Sequence, residues 1–478
     1  MQTQRELSFL STTELSDLLV RKEISPVELL DNSLKTIERL NGELNAFVLV
    51  LADEARAQAR ESEERLRRGE GRLLEGIPVP IKDNIALAGA PMTISSRMGP
   101  KGPMPVDAEL VARLRRAGTV FPGKTNLPEF GTIPSTEGEL HGAAHNPWDL
   151  TRTPGGSSGG AAAAVASGMA PIAHGNDGGG SLRVPAACCG LYSLKPSRGR
   201  VTHGPIETES VLGLTIDGFI SRTVRDNARF LDAVAGPLPG DPYPAPPPLR
   251  PFEEEAQTEP GRLRIAWTTA GPIDVPVHPA HAAAVSDAAT LCASLGHDVE
   301  EATPDWQDDS IVMLFIQLWS SLIGSLVDVL ADMGGDPDEA EPHNRALHEF
   351  GQAMTANQLG VTVFRLEQFA WRVCAFWERF DVLLTPTLAE PPLKLGTLFE
   401  LAGDDPLYPL NRAGMWIPCT PIVNVTGQPA ANLPLSWHDG LPVGVQAIGR
   451  MHDEATLYRL SAQLEAARPW ADRRPPVS

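Results

Sequence analysis

The sequence predicts an α/β protein, and three observations lead there. Strand-like apolar runs alternate with stretches of helical periodicity. No internal repeat divides the chain. The composition is that of an ordinary globular protein, with 42% apolar and 21% charged residues among 478. Residues 12–70 read as helices. Thr12 or Thr13 with Glu14 marks one start, and Ser25-Pro26-Val27-Glu28 marks the next with capping-box spacing. Val27, Leu30, Leu34 and Ile37 then recur at helical period, and the Ala/Glu/Arg-rich stretch from Ala46 to Arg68 continues as helix. Gly76-Ile77-Pro78-Val79-Pro80-Ile81-Lys82 is strand-like, and a helix carrying Leu110, Val111 and Leu114 follows over 107–117. Gly236 to Pro260, with PLPGDPYPAPPPLRP and then FEEEAQTE, reads as an extended, mobile surface linker. Beyond it come a strand over 262–268, a helix over 279–295 and an aromatic helical region over 306–380. A strand at 381–386 closes this part.

Charge and cysteine content exclude several classes. Forty basic side chains stand against 60 acidic ones, a net charge of −20. Such a surface repels phosphate backbones and anionic lipid heads, so neither nucleic acid nor membrane is an expected partner. Five cysteines, two of them the adjacent Cys188 and Cys189, are too few for a disulfide framework. No C-x-x-C or H-E-x-x-H spacing supports a zinc site, and no metal or cofactor is expected. The start MQTQRELSFLSTTELSDLLV lacks a basic region followed by an apolar core, and no run approaches the roughly 18 apolar residues of a membrane span. The expected setting is the reducing cytoplasm.

The densest chemical signal is TPGGSSGGAAAAVASGMAPIAHGNDGGGSLRVPA over residues 153–186. Two glycine clusters each present a serine, separated by an Ala-rich stretch suited to a tightly packed helix. Glycine lets backbone amides approach a ligand and form a nest for a developing oxyanion. The bland alternative is a flexible Gly/Ser loop, but structured apolar sequence follows both clusters. Lys82 is the second signal. It is one of only 7 lysines and lies in the apolar stretch GIPVPIKDNIAL. Desolvation lowers a lysine's pKa and makes it a general base near neutrality. Taken alone, a lysine that snorkels or pairs with Asp83 is the better explanation.

Competing motifs fail on context. Gly118 to Thr125 matches the G-x-x-x-x-G-K-[ST] phosphate loop, yet a helical pattern precedes it and Asn126-Leu127-Pro128 follows where a helix should begin. G-x-S-x-G is matched around Ser157 and Ser158, but the approach Asn146 to Pro154 is polar and proline-broken rather than a buried strand. No lysine has a serine three residues before it, which removes the Ser-x-x-Lys reading. His174 and His203 read as structural. A Ser–Lys arrangement needs no histidine.

These segments resemble the amidase signature family of serine hydrolases. The resemblance rests on Gly76 to Asp83, Gly123-Lys-Thr-Asn-Leu-Pro-Glu129-Phe130, Asn146 to Gly160, Gly175-Asn-Asp177-Gly-Gly-Gly-Ser181-Leu-Arg183-Val-Pro185-Ala186, Asp381 to Thr387 and Asp439 to Gln446. It spans nearly the whole chain. It implies a large, mixed, twisted central β-sheet covered on both faces by helices. One compact unit is expected, with an N-terminal helical region at 1–70 and a catalytic part at 71–478.

Carried over, the resemblance makes Ser181 the nucleophile, Ser157 the bridging serine, usually preceded by a cis peptide, and Lys82 the base. The backbone amides of Gly178, Gly179, Gly180 and Ser181 would form the oxyanion hole, with Ser158, Asp177 and Arg183 in support. A threonine or similar residue often stands in the family where Gly178 stands here, so the extra glycine is expected to loosen the loop or open space near the substrate carbonyl. The implied activity is hydrolysis of a carboxylic amide, with carbamates or esters as further substrates, by a monomer or homodimer acting on a small molecule. The match looks most like free-standing amidases of the nylon-oligomer (6-aminohexanoate cyclic dimer) hydrolase type. The alternative is the glutamine-hydrolysing subunit of a tRNA-dependent amidotransferase. Region 306–380, with Met313, Phe315, Trp319, Phe369 and Trp371, is expected to line the substrate tunnel and favour an apolar or aryl group, although most of these side chains taken singly read as core packing.

Overall fold

The computed structural model describes residues 7–400 and 405–478. The first six residues of the N-terminal region lie outside them. Three short strands, β1 (Phe47–Val50), β2 (Ile81–Lys82) and β3 (Gly123–Thr125), form a small sheet in the order β1-β3-β2. A hairpin of β4 (Glu137–Gly138) and β5 (Gly142–Ala143) follows. The main sheet collects β6 (Ile172–Asp177), β7 (Tyr192–Lys195), β8 (Ile216–Ser221), β9 (Arg264–Trp267) and β10 (Asp298–Glu301). Its remaining strands are β11 (Val382–Pro386), β12 (Ala430–His438) and β13 (Leu441–Gly449). The order is β10-β9-β11-β13-β12-β7-β8-β6, with β9 parallel to both neighbours and every other pair antiparallel.

Strand alternation feeds a core on each face of this sheet. Val382 and Leu384 of β11 point into one core with Ile265, Val445 and the helices Pro279–Ser294 and Glu454–Ala467. Leu383 and Ala266 point into the other, which holds the helices Ile311–Asp332 and Ala356–Cys374. The expected mixed sheet with helices on both faces is therefore present.

Several elements differ from the sequence reading. Ser11, not Thr12 or Thr13, caps the first helix, because its hydroxyl accepts the Glu14 N–H while Glu14 closes the box. Thr12 and Thr13 instead donate to the Asp226 carboxylate. The stretch from Ala46 to Arg68 is not one helix: β1 occupies Phe47–Val50, and the helix starts at Ala52. Pairing with β3 outweighs helix propensity here. In Gly76–Lys82 the strand is only Ile81–Lys82. Gly123–Thr125, the apparent phosphate loop, is itself a strand.

The 236–260 segment is pinned rather than loose. Phe252 is buried against the Tyr458 ring, 5.6 Å between centroids, and the Glu255 carboxylate takes Arg459 at 2.5 Å and Arg250 at 2.8 Å. The reading also missed that Ile311–Asp332 is long and apolar enough to cross a membrane, the one such helix among the described residues. Its Leu314, Leu318, Ile323, Val327 and Leu330 pack into the second core.

Candidate active site

β6 organises the site by its two faces. Successive side chains of a strand point in opposite directions. His174 and Asn176 face Lys82: the Lys82 N–H donates to His174 Nδ1 at 3.4 Å, and Lys82 Nζ donates to Asn176 Oδ1 at 2.6 Å. Gly175 and Asp177 face the serine loops. A Cβ on Gly175 would lie 2.7 Å from Ser158 Oγ, so only glycine allows that approach. Asp177 accepts the Gly180 N–H at 2.8 Å and the Leu182 N–H at 3.1 Å, which ties down the loop carrying Ser181.

Lys82 is fully buried, and its Nζ hydrogen-bonds Ser157 Oγ at 2.7 Å. Ser157 follows a cis peptide bond from Gly156. The Gly159–Ala166 helix that begins just after is buried along its whole length, as its alanines and glycines permit. Among the described residues no hydrogen bond joins the Ser157 and Ser181 hydroxyls. The two serine loops are linked instead by the Ser158 N–H to the Ser181 carbonyl at 3.3 Å, and the Ser158 hydroxyl donates to the Asn176 carbonyl at 3.2 Å. Hydrogen bonds between reacting groups are often long without substrate and tighten when it binds.

Electrostatics follow from burial and pairing. Burial pushes the Lys82 amine down to about 7, against the opposing pull of the Asp217 and Asp177 charges. Burial would raise Asp177, but the Arg183 guanidinium beside it holds the carboxyl well below its usual range. Arg183 reaches Asp177 with two nitrogens, at 2.8 and 2.9 Å, and also donates to Asn424 at 2.7 Å and Gln446 at 2.6 Å. Behind Lys82, Asp217 joins His174 at 3.1 Å and His203 at 3.3 Å. Burial opposes the charge on His203, yet the Asp217 carboxylate lifts it to about 9. His174 Nδ1 accepts a backbone N–H, so its proton sits on Nε2 toward Asp217.

Ser181 opens onto a cavity of about 820 Å³, counting the part continuous with solvent. Gly131 to Pro134 and Gly179 to Ser181 form one wall; Ile311, Val312, Phe315, Ile316 and Trp319 form another; Leu410, Ile417, Pro418, Pro421 and Ile422 close the third side. No charged side chain lines it among the described residues. No three His, Cys, Asp or Glu side chains among them stand so as to share a metal ion.

The sequence expectations need three corrections. The Gly180 N–H donates to Asp177 and so is not free for the oxyanion role expected of it. Gly178 opens no space: a Cβ there would meet Trp319 Cη2 at 3.1 Å and Thr215 Oγ1 at 2.8 Å, so the indole already fills the room a side chain would need. Of the five aromatic and methionine side chains singled out in the expected tunnel region, Phe315 and Trp319 line the cavity, stacked 5.5 Å apart. Phe369 packs in the core, while Met313 (51% exposed) and Trp371 (84% exposed) face outward, because the helical period turns them away from the cavity.

Other residues escaped the sequence reading. Thr420 donates its hydroxyl to the Gly179 carbonyl at 2.8 Å, and nothing in its own segment signals this. Asn424 also bears no local mark. Gln446 ends the Asp439–Gln446 motif, and Asn176 could have been found from its place two residues after His174 on one strand.

Comparisons with known proteins agree with the fold. The family model described as Amidase matches residues 28–458, and the chain belongs to that family of amide hydrolases. The AmiB2 protein of Mycobacterium tuberculosis strain H37Rv, a putative amidase by name, is 39% identical over 99% of both chains. The 6-aminohexanoate-cyclic-dimer hydrolase of Paenarthrobacter ureafaciens is 37% identical over 97% of this chain and 96% of its own. A solved 6-aminohexanoate cyclic dimer hydrolase superposes with a TM-score of 0.91 at 34% identity, over 98% of this chain and 99% of the other. A glutamyl-tRNA(Gln) amidotransferase subunit of Thermotoga maritima is more distant, with a TM-score of 0.74 at 26% identity, over 97% of this chain and 96% of the other.

Proposed function

We propose that this amidase cleaves uncharged amides with an apolar acyl or aryl group through Lys82, Ser157 and Ser181. The observation that carries the reading is the fully buried Lys82 amine, near neutral pKa, hydrogen-bonded to Ser157 at 2.7 Å beside an uncharged cavity that opens at Ser181. Neutral Lys82 takes a proton from Ser157 as Ser157 takes one from Ser181, and the Ser181 oxygen bonds to the amide carbon. The amides of Gly178, Gly179 and Ser181 receive the oxyanion. The carbon–nitrogen bond then breaks, and the proton returns through Ser157 to the leaving amine. Water hydrolyses the acyl-enzyme by the same relay. Asp177, Arg183 and Ser158 hold the loops in shape.

Within region 306–380, Ile311 to Trp319 would set acyl preference. The alternative, a glutamine-hydrolysing subunit, is disfavoured by the cavity: glutamine carries an ammonium and a carboxylate, and no lining side chain answers either. All five cysteines are free thiols, in keeping with a reducing cytoplasm. Incubation with a fluorophosphonate probe tests the nucleophile: the parent protein should be labelled on Ser181 and the Ser181→Ala variant should not. Unchanged labelling of that variant would refute the assignment. A screen of butyryl and benzoyl p-nitroanilides against glutamine tests the substrate class, with the anilides expected to turn over faster.

A further inference from the structure

Among the described residues, Lys82 Nζ has two hydrogen-bond partners, Ser157 Oγ at 2.7 Å and Asn176 Oδ1 at 2.6 Å. They differ in kind. The serine hydroxyl can give or take a hydrogen, whereas an amide oxygen only takes one. A neutral amine has two hydrogens and a single lone pair, and a base works only when that lone pair faces the proton it removes. The Asn176 oxygen occupies one hydrogen and so turns the lone pair toward Ser157.

The same contact matters for charge. Among the described residues, the charged groups around Lys82 are matched by an opposite or hydrogen-bonding group. On β3, Lys124 pairs with Asp83 at 3.1 Å. On β6 and the following helix, Asp177 pairs with Arg183 at 2.8 Å. On β8, Asp217 is held by His174 on β6 and by His203. Lys195 on β7 donates to the Pro196 carbonyl at 2.8 Å, near Asp177. Besides Ser157, the group that touches the amine is the neutral carboxamide of Asn176, which adds no charge to hold Lys82 protonated.

We infer that Asn176 is a positioning residue for Lys82: its amide oxygen orients the amine toward Ser157 without supplying a carboxylate that would trap the ammonium. This rests on the reading of Lys82 as the base. Its origin in the chain is simple. Positions 174 and 176 share one face of β6, so the strand grips the backbone of Lys82 with one side chain and its amine with the next.

The test is the pH profile of kcat/KM with butyryl p-nitroanilide for Asn176→Asp, Asn176→Ala and Lys82→Ala. The carboxylate of Asn176→Asp should favour the ammonium, move the acid limb up by about one pH unit or more, lower kcat/KM at pH 7 by roughly tenfold and allow recovery by about pH 9.5. Asn176→Ala should lower kcat about tenfold with KM within about twofold of the parent. An Asn176→Asp limb within about 0.3 unit of the parent overturns the inference. If Asn176→Asp does not fold, parental kcat in Asn176→Ala overturns it instead. Lys82→Ala separates the two levels: parental activity there removes the base reading itself, while an inactive Lys82→Ala beside an unshifted Asn176→Asp removes only the role of Asn176.

Discussion

The two long walls of the cavity are built of different material. The wall that carries Ser181 is glycine and serine backbone, held by buried polar groups: Asp177 takes two amides, Arg183 spans Asp177, Asn424 and Gln446, and Thr420 holds the Gly179 carbonyl. The facing wall, Ile311 to Trp319, is one helix packed by aliphatic and aromatic contact. In the first wall Asp177, Arg183, Asn424, Gln446 and Thr420 each have a partner, and removing one leaves another buried and unpaired. The second wall tolerates a change of shape, since van der Waals packing has no such all-or-none condition. On the proposed function, chemistry would be kept where geometry is most over-determined, and substrate preference where it is least.

The sharpest break of this contrast is Ser181→Ala. It should lower kcat by roughly 10⁴-fold while the melting temperature stays within about 2 °C, read by p-nitroanilide hydrolysis and thermal unfolding. Loss of fold along with activity would mean that the serine is part of the scaffold. Next is Arg183→Ala, which leaves the Asp177 carboxylate buried without its guanidinium. A loss of about 3–5 kcal/mol in urea unfolding is expected. A loss below about 1 kcal/mol would place the rigidity elsewhere.

The pH dependence comes third. As the proposed base, Lys82 would have to be neutral to act, and burial lowers its amine to about 7. kcat/KM should therefore rise about tenfold per pH unit below 7 and level off above about 8. A limb at the ordinary lysine value would contradict the desolvated base. On the apolar wall, Trp319→Ala should shift preference about tenfold toward branched or bicyclic acyl groups over butyryl, measured as a ratio of kcat/KM values. Smallest of all, Trp371→Ser should leave stability within about 0.5 kcal/mol and kcat within about twofold, because that ring faces solvent.

Much of the polar wall was legible in advance, and little of the apolar one. A lysine inside GIPVPIKDNIAL contradicts its own neighbourhood, and paired serines in glycine runs are rare enough to see locally. The helical stretch 306–380 looked uniformly aromatic, yet Phe315 and Trp319 face the cavity while Met313 and Trp371 face away. Composition does not say which side of a helix meets a partner until the partner is known. The same limit hid β1, whose Phe47–Val50 reads as helix until Gly123–Thr125 is laid beside it.

The amino-acid order by itself determined the α/β alternation, the capping box at Ser25, the absence of a nucleotide loop and the run of glycines and serines that marks a hydrolase. These depend on neighbours within a few positions, where propensity and period act. Tertiary structure alone decided that Asn176 meets a lysine 94 residues earlier, that the Gly180 amide belongs to Asp177 rather than to a substrate, and that Trp319 fills the space beside Gly178. Hydrogen bonds and close packing act over about 3–4 Å. Only the finished sheet, with β6 at its edge and the cavity helix laid against the serine loop, brings such distant residues within that range.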